Sequence, residues 1–99
     1  MAVSDLVQPE KPRSSLKIYL DILSTVLEEG DTKPTRILYR ANLSHDRLTR
    51  YIEELKAKGL INENQIEDGR YYTITPKGLD FLHEIKRAES FLAGFGLSV

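Results

Sequence analysis

The sequence predicts an α+β domain, mainly α, built from three helices, a two-stranded β-hairpin and a C-terminal helix. Three observations predict it. Apolar residues recur at three- and four-residue steps over 16–27 and again over 48–55, the spacing that lines one face of a helix. An Asp68-Gly69 pair lies between two short segments of strand-like composition, which favours a tight hairpin turn. A last apolar pattern runs from Leu79 to Phe95 behind a Thr75-Pro76 start signal, a capping residue followed by proline in the first turn.

Each element has its own local reason. Residues 1–13 hold two prolines and no periodicity, and read as a flexible tail. From Ser14, Leu16, Tyr19, Leu20, Leu23, Val26 and Leu27 mark the buried face of a first helix over 15–29. Ser14 or Ser15 caps its start, and Glu28-Glu29-Gly30 ends it. Asp31-Thr32-Lys33-Pro34 starts a second, short helix over 34–41, with Ile37, Leu38 and Ala41 as its apolar stripe. Asn42-Leu43-Ser44 is then a turn. Asn tolerates the left-handed conformation, Leu43 can plug the core, and Ser44 caps a third helix over 44–58. That helix buries Leu48, Tyr51, Ile52 and Leu55, and Gly59 stops it. Segments 60–66 and 70–75 form the hairpin, with Tyr72 and Ile74 on one face and Tyr71 and Thr73 on the other. The last helix opens at Pro76 and frays at Gly94. The organisation expected is thus a tail over 1–13, a domain over 14–78, and a C-terminal element over 79–99.

Composition bounds the function. A chain of 99 residues, 40% hydrophobic and 29% charged, suits one globular domain. No apolar run approaches the roughly 20 residues that span a bilayer. The N-terminus has neither the basic start nor the apolar core of a signal peptide. With no cysteine there is no disulfide framework or thiolate metal site. These features lead us to expect an intracellular, cytoplasmic protein. The only histidines, His45 and His83, lie on different helices without a ligand cluster, and no phosphate-binding glycine loop or nucleophile elbow occurs. An enzyme, a metal site, a cofactor and a small-molecule ligand are therefore not expected.

The net charge of −1 is unevenly spread. Residues 33–58 carry seven basic side chains against three acidic ones, a local charge of +4. The segment before carries −3 and the segment after −2. A basic island between acidic flanks suits a polyanion at that place, although nucleic-acid-binding domains are more often basic overall.

A short helix joined by a tight turn to a longer one is the helix-turn-helix unit, and the hairpin directly after it makes the unit winged. The residues "TRILYRANLSHDRLTRYIEELKAKGLI" and "YYTITPKGLDFL" carry the likeness, through the combination of "ANLS", "KGLI" and Y-x-I-T-x-K-G. On them the chain resembles the archaeal winged helix-turn-helix proteins, small transcription regulators and chromatin-type DNA binders, over roughly residues 15–85. The resemblance implies double-stranded DNA as partner and a nucleoid-associated location. The helix 44–58 would lie in the major groove, and the hairpin 60–75 would be a wing against neighbouring backbone or minor groove.

Physical chemistry agrees with that placement. A helix N-terminus presents unpaired N–H groups that suit phosphate, and groove-reading helices use their first residues. Leu48, Ile52 and Leu55 set the buried direction, which leaves His45, Arg47, Thr49 and Arg50 for base-edge or phosphate contact. Ser44 caps and can also touch phosphate. Asp46 fits only as a partner of the helix dipole or of Arg50. Arg36 and Arg40 share one face of the second helix; they contact phosphate or pair with the acidic flanks. Arg70 follows the wing turn and is a wing-tip contact. Tyr39 and Tyr71 read as half-buried packing residues. The same charged helix face has a plainer reading as a solvated surface, and the fold has a second use as a protein-docking module without DNA.

On the last helix Phe81, Ile85, Ala88, Leu92 and Phe95 are spaced 4, 3, 4, 3, a short a/d seam. Leu79 and Leu82 can face the domain's own core. Either the whole helix packs within one monomer, or the seam pairs two chains as a homodimer; the resemblance, and the difficulty of burying Phe91, Leu92 and Phe95 in one small domain, favour the homodimer.

Overall fold

Local signals start and stop almost every element where they are expected. The computed structural model describes residues 13–99, and within them helix α1 spans Ser15–Glu29, α2 Pro34–Ala41 and α3 His45–Ala57. Strands β1 (Ile61–Ile66) and β2 (Gly69–Ile74) form an antiparallel hairpin, and α4 spans Pro76–Ala93. Of the expected tail, all but Arg13 lies outside the described residues. The Ser14 hydroxyl accepts from the Lys17 amide at 3.0 Å and caps α1. Gly30, at φ 84°, ends it, a conformation that costs glycine little.

α1 is the centre of the domain, packed against α2, α4 and β2. This widens its buried face beyond the stripe read from the sequence. Ile18 and Ile22 are fully buried, whereas Leu27 is exposed. A helix covered on several sides buries more than one stripe of apolar residues, so the single-face expectation was too narrow.

The Asp31-Thr32 start signal is realised differently. Lys33 occupies the cap position of α2 and makes no side-chain capping bond. Thr32 is buried instead, and its backbone pairs with Tyr72: the Thr32 amide donates to the Tyr72 carbonyl at 3.0 Å, and the Tyr72 amide donates back at 2.8 Å. One rung of a third strand is thus added beside β2. The turn after α2 matches expectation: Asn42 is left-handed (φ 54°), Leu43 is buried, and the Ser44 hydroxyl accepts from the Arg47 amide at 3.3 Å. α3 buries the four predicted residues, Leu48, Tyr51, Ile52 and Leu55.

In the hairpin, Ile61 pairs with Ile74 and Ile66 with Gly69, so the loop is Glu67-Asp68, one residue earlier than the Asp68-Gly69 turn read from the sequence. Both loop residues keep negative φ, and Gly69 takes φ 135° as the first residue of β2. A turn with positive φ at both central residues would suit Asp-Gly, but here the glycine supplies the reversal from the strand side.

The "KGLI" and "TPKG" signatures prove to be one joint. The Thr75 hydroxyl donates to the Gly59 carbonyl at 2.7 Å and accepts from the Gly78 amide at 2.8 Å, while the Thr75 amide donates to the Leu60 carbonyl at 3.2 Å. Gly78 lies so close that a Cβ there would meet the Leu60 carbonyl and, at 2.9 Å, the Ile74 side chain. α4 therefore starts within the core, where Leu82 is fully buried and Phe81 and Ile85 pack at the edge. Its far end is different: Phe91 and Phe95 are 68% and 69% exposed, with ring centroids 5.3 Å apart. Rather than fraying at Gly94, the helix closes in a hydrogen-bonded turn in which the Leu97 amide donates to the Leu92 carbonyl and Gly96 takes φ 76°.

Candidate nucleic-acid interface

The first two turns of α3 project Ser44, His45, Asp46, Arg47, Thr49 and Arg50 to solvent, while Leu48 alone turns inward. Ser44 is engaged as the cap. The Thr49 hydroxyl donates back to the His45 carbonyl at 3.0 Å, which leaves its oxygen free to accept. Asp46 sits in the first turn, where it complements the helix dipole, and no ion pair joins it to Arg50 among the described residues.

The predicted residues fall into three groups. His45, Thr49 and Glu53 of α3 line a cleft of about 60 Å³ together with Arg70 of the wing and Pro34 of α2. A space this small cannot enclose an organic ligand; it is a cleft between helix and wing. Arg47 and Arg50 lie on the other shoulder, their guanidinium carbons 6.0 and 4.9 Å from the centroid of the buried Tyr51 ring. The Ser15 hydroxyl, with the Arg50 and Arg47 guanidiniums, lowers the pKa of the Tyr51 phenol. Neither arginine is paired with a carboxylate among the described residues, and both side chains are exposed.

Arg36 and Arg40 form the third group, and here the ion-pair alternative is the one observed. Arg40 reaches Glu28 at 2.6 Å and Glu29 at 2.9 Å, and Arg36 reaches Glu29 at 3.2 Å. The Glu28 carboxylate hydrogen-bonded to Arg40 raises its already high pKa.

Sequence reasoning missed four features of this surface. Arg13 belongs to the fold: its guanidinium donates to the Asp21 carboxylate at 2.7 Å and to the carbonyls of Ala41 and Asn42 at 2.7 and 2.9 Å. It thus clasps the turn from which α3 departs. Tyr39, expected to be half-buried, is 81% exposed; with Tyr71, Lys33 and Arg36 it borders an open groove of about 420 Å³ between α2 and the wing. Lys56 ties α3 to the wing, bonding Glu63 at 2.9 Å and Glu53 at 3.3 Å, and Tyr72 donates to the same Glu63 carboxylate at 3.1 Å. The Lys56 ammonium holds the Glu63 carboxyl below the usual carboxylate range. Finally, the Tyr19 phenol of α1 donates to Glu54 of α3 at 2.6 Å. The Arg13 carbonyl partners and the Tyr19–Glu54 pair are 28 to 35 residues apart.

Residues 12–92 match the sequence profile of the winged helix-turn-helix family. No curated protein matches the chain. Among solved structures it is similar to Sso10a-2, a DNA-binding protein from Sulfolobus solfataricus, at 25% identity and a TM-score of 0.76, over 84% of this chain and 85% of that one. It is also similar to the transcriptional regulator BldR from Sulfolobus solfataricus (23% identity, TM-score 0.72, 82% of this chain, 60% of that one). A third likeness is to AF1382 from Archaeoglobus fulgidus (19% identity, TM-score 0.66, 92% and 97%). The last two bear on fold alone. Among the described residues, no helix is long and apolar enough to cross a membrane.

Proposed function

The chain belongs to the winged helix-turn-helix family, and on that premise we propose that it binds double-stranded DNA as a transcription regulator or architectural factor. α3 enters the major groove, with Ser44, His45, Arg47, Thr49 and Arg50 toward bases and phosphates, and the β1–β2 wing brings Arg70 to the adjacent backbone. One observation carries this reading: the cations and hydroxyls of the first two turns of α3 are exposed, and Arg70 opens onto the same cleft as His45 and Thr49. A duplex seated there meets helix and wing together. The protein contributes binding rather than catalysis, and its place is with the DNA, in the cytoplasm or nucleoid.

Each phosphate contact contributes a slope of about −0.9 to the dependence of log affinity on log salt. The Arg47→Ala/Arg50→Ala variant is expected to bind duplex at least about tenfold more weakly, since a good base or phosphate contact is worth roughly 1–3 kcal/mol. Fluorescence anisotropy on labelled duplexes at several salt concentrations measures both quantities. Absence of binding by the wild type at low salt, or equal binding by the variant, would leave the protein-docking use of the fold in its place.

The same proposal includes a homodimer. The expected seam divides in two: Phe81 and Ile85 lie against the domain's own core, whereas Ala88, Leu92 and Phe95, with Phe91, lie beyond it. Two such ends pairing would cover Phe91 and Phe95 and set two α3 helices on successive turns, about 34 Å apart. Truncation after Arg87 tests it by light scattering; a shortened chain that still runs as a dimer refutes the seam.

A further inference from the structure

The acidic end of α1 has a role in the proposed DNA binding. Arg36 and Arg40 stand on one face of α2, the helix that leads into the turn before α3, and Arg40 is only four residues from the capping Ser44. On their own they would offer two guanidiniums to any phosphate backbone. Instead the pair is matched by two carboxylates, Glu28 to Arg40 at 2.6 Å and Glu29 to Arg40 at 2.9 Å and Arg36 at 3.2 Å. Glu29 is shared, so the four side chains form one network rather than isolated pairs. A carboxylate occupies the guanidinium fork as a phosphate does.

We infer that Glu28 and Glu29 mask Arg36 and Arg40: they take the place of phosphate on the two guanidiniums and confine the duplex footprint to α3 and the wing. The inference rests on the DNA reading above. An isolated exposed ion pair is weak, and DNA could displace one. Displacing both here would leave two carboxylates beside the backbone that displaced them, so repulsion opposes the exchange. The basic island of charge +4 is thereby reduced by two. Sequence-independent attraction falls with the number of phosphates neutralised, whereas the groups on α3 that touch base edges keep their contacts. Base-edge contacts then make up a larger share of the total binding.

The test is Glu28→Gln/Glu29→Gln, titrated on a random-sequence duplex at salt concentrations from 50 to 200 mM. Freeing two guanidiniums should steepen the salt slope by up to about 1.8 and tighten binding at the lowest salt by roughly tenfold. Asp80→Asn/Glu84→Gln on α4 makes the same change in net charge and should give a much smaller gain. Adding Arg36→Ala/Arg40→Ala to the glutamine variant should cancel the gain and return the slope to the wild-type value. Circular dichroism melts of each variant report folding separately. A glutamine variant that behaves like the α4 control overturns the inference, as does a gain that survives the added alanines. A wild type that binds no duplex fails the DNA reading itself, and this inference with it.

Discussion

Arg13 is the clearest place to test how the turn before α3 is held. Its Arg13→Ala substitution removes three charge-assisted hydrogen bonds: to Asp21 at 2.7 Å, to the Ala41 carbonyl at 2.7 Å and to the Asn42 carbonyl at 2.9 Å. Hydrogen bonds to charged groups contribute about 1.5–3 kcal/mol when buried. The Arg13 side chain is 22% exposed, so solvent weakens each. Ordering an arginine also costs on the order of 2 kcal/mol of rotamer entropy. The net loss is therefore about 1–2 kcal/mol, and a domain of this size loses roughly 4–8 °C in Tm per kcal/mol. A thermal melt should place Arg13→Ala about 4–16 °C below the wild type. Arg13→Lys keeps a charge for Asp21 but cannot reach both carbonyls with one fork, so it should fall between the two. Asp21→Asn leaves the carbonyl bonds in place and should cost less than Arg13→Ala. An unchanged Tm in Arg13→Ala would refute the clasp; Asp21→Asn also breaks the partly exposed Lys17–Asp21 pair at 3.5 Å, so a Lys17→Gln variant measures that part separately.

Two further outcomes follow from the packing. Gly78→Ala drives a methyl group into the Leu60 carbonyl and the Ile74 side chain; because the obstacle is backbone, the loss should reach at least about 2 kcal/mol, read as a lowered urea midpoint at constant m-value, and a wild-type midpoint would contradict the contact. Tyr19 gives a pH dependence: burial, with the Glu54 carboxylate beside it, pushes its phenol from 10 up to about 12. The folded state then keeps a proton that the unfolded chain releases, so this contribution is whole below about pH 10 and is lost as pH rises toward 12. Tyr19→Phe should flatten that part of the stability curve, and an alkaline decline as steep as the wild type's would show that another group is responsible.

The elements were legible because their signals are local. Leu48, Tyr51, Ile52 and Leu55 repeat at helical spacing, and Asn42, Leu43 and Ser44 each carry a turn preference within the residue itself. What escaped depends on partners brought together only by folding. Nothing at Arg13 points to carbonyls 28 and 29 residues away. Thr32 looked like part of a helix start, yet strand pairing claimed its backbone. Of the candidate site, the exposure of the α3 residues was legible, but sequence alone left open whether Arg36 and Arg40 face phosphate or carboxylate. Tyr39 was misjudged because eight residues define a helix face coarsely, and it lies one step round from Ile37 and Leu38.

The single rung between Thr32 and Tyr72 has a consequence for motion. A hairpin alone pivots about its root, and a protein that must still orient such an arm on contact loses conformational entropy as it binds. Here two backbone bonds, 3.0 and 2.8 Å long, fasten the root of the arm to the segment joining α1 and α2. The angle between arm and α3 is thus settled during folding. For the DNA binding proposed above, docking would be the meeting of two preformed shapes, with adaptation left to the loop at Glu67-Asp68 and the long side chains around it.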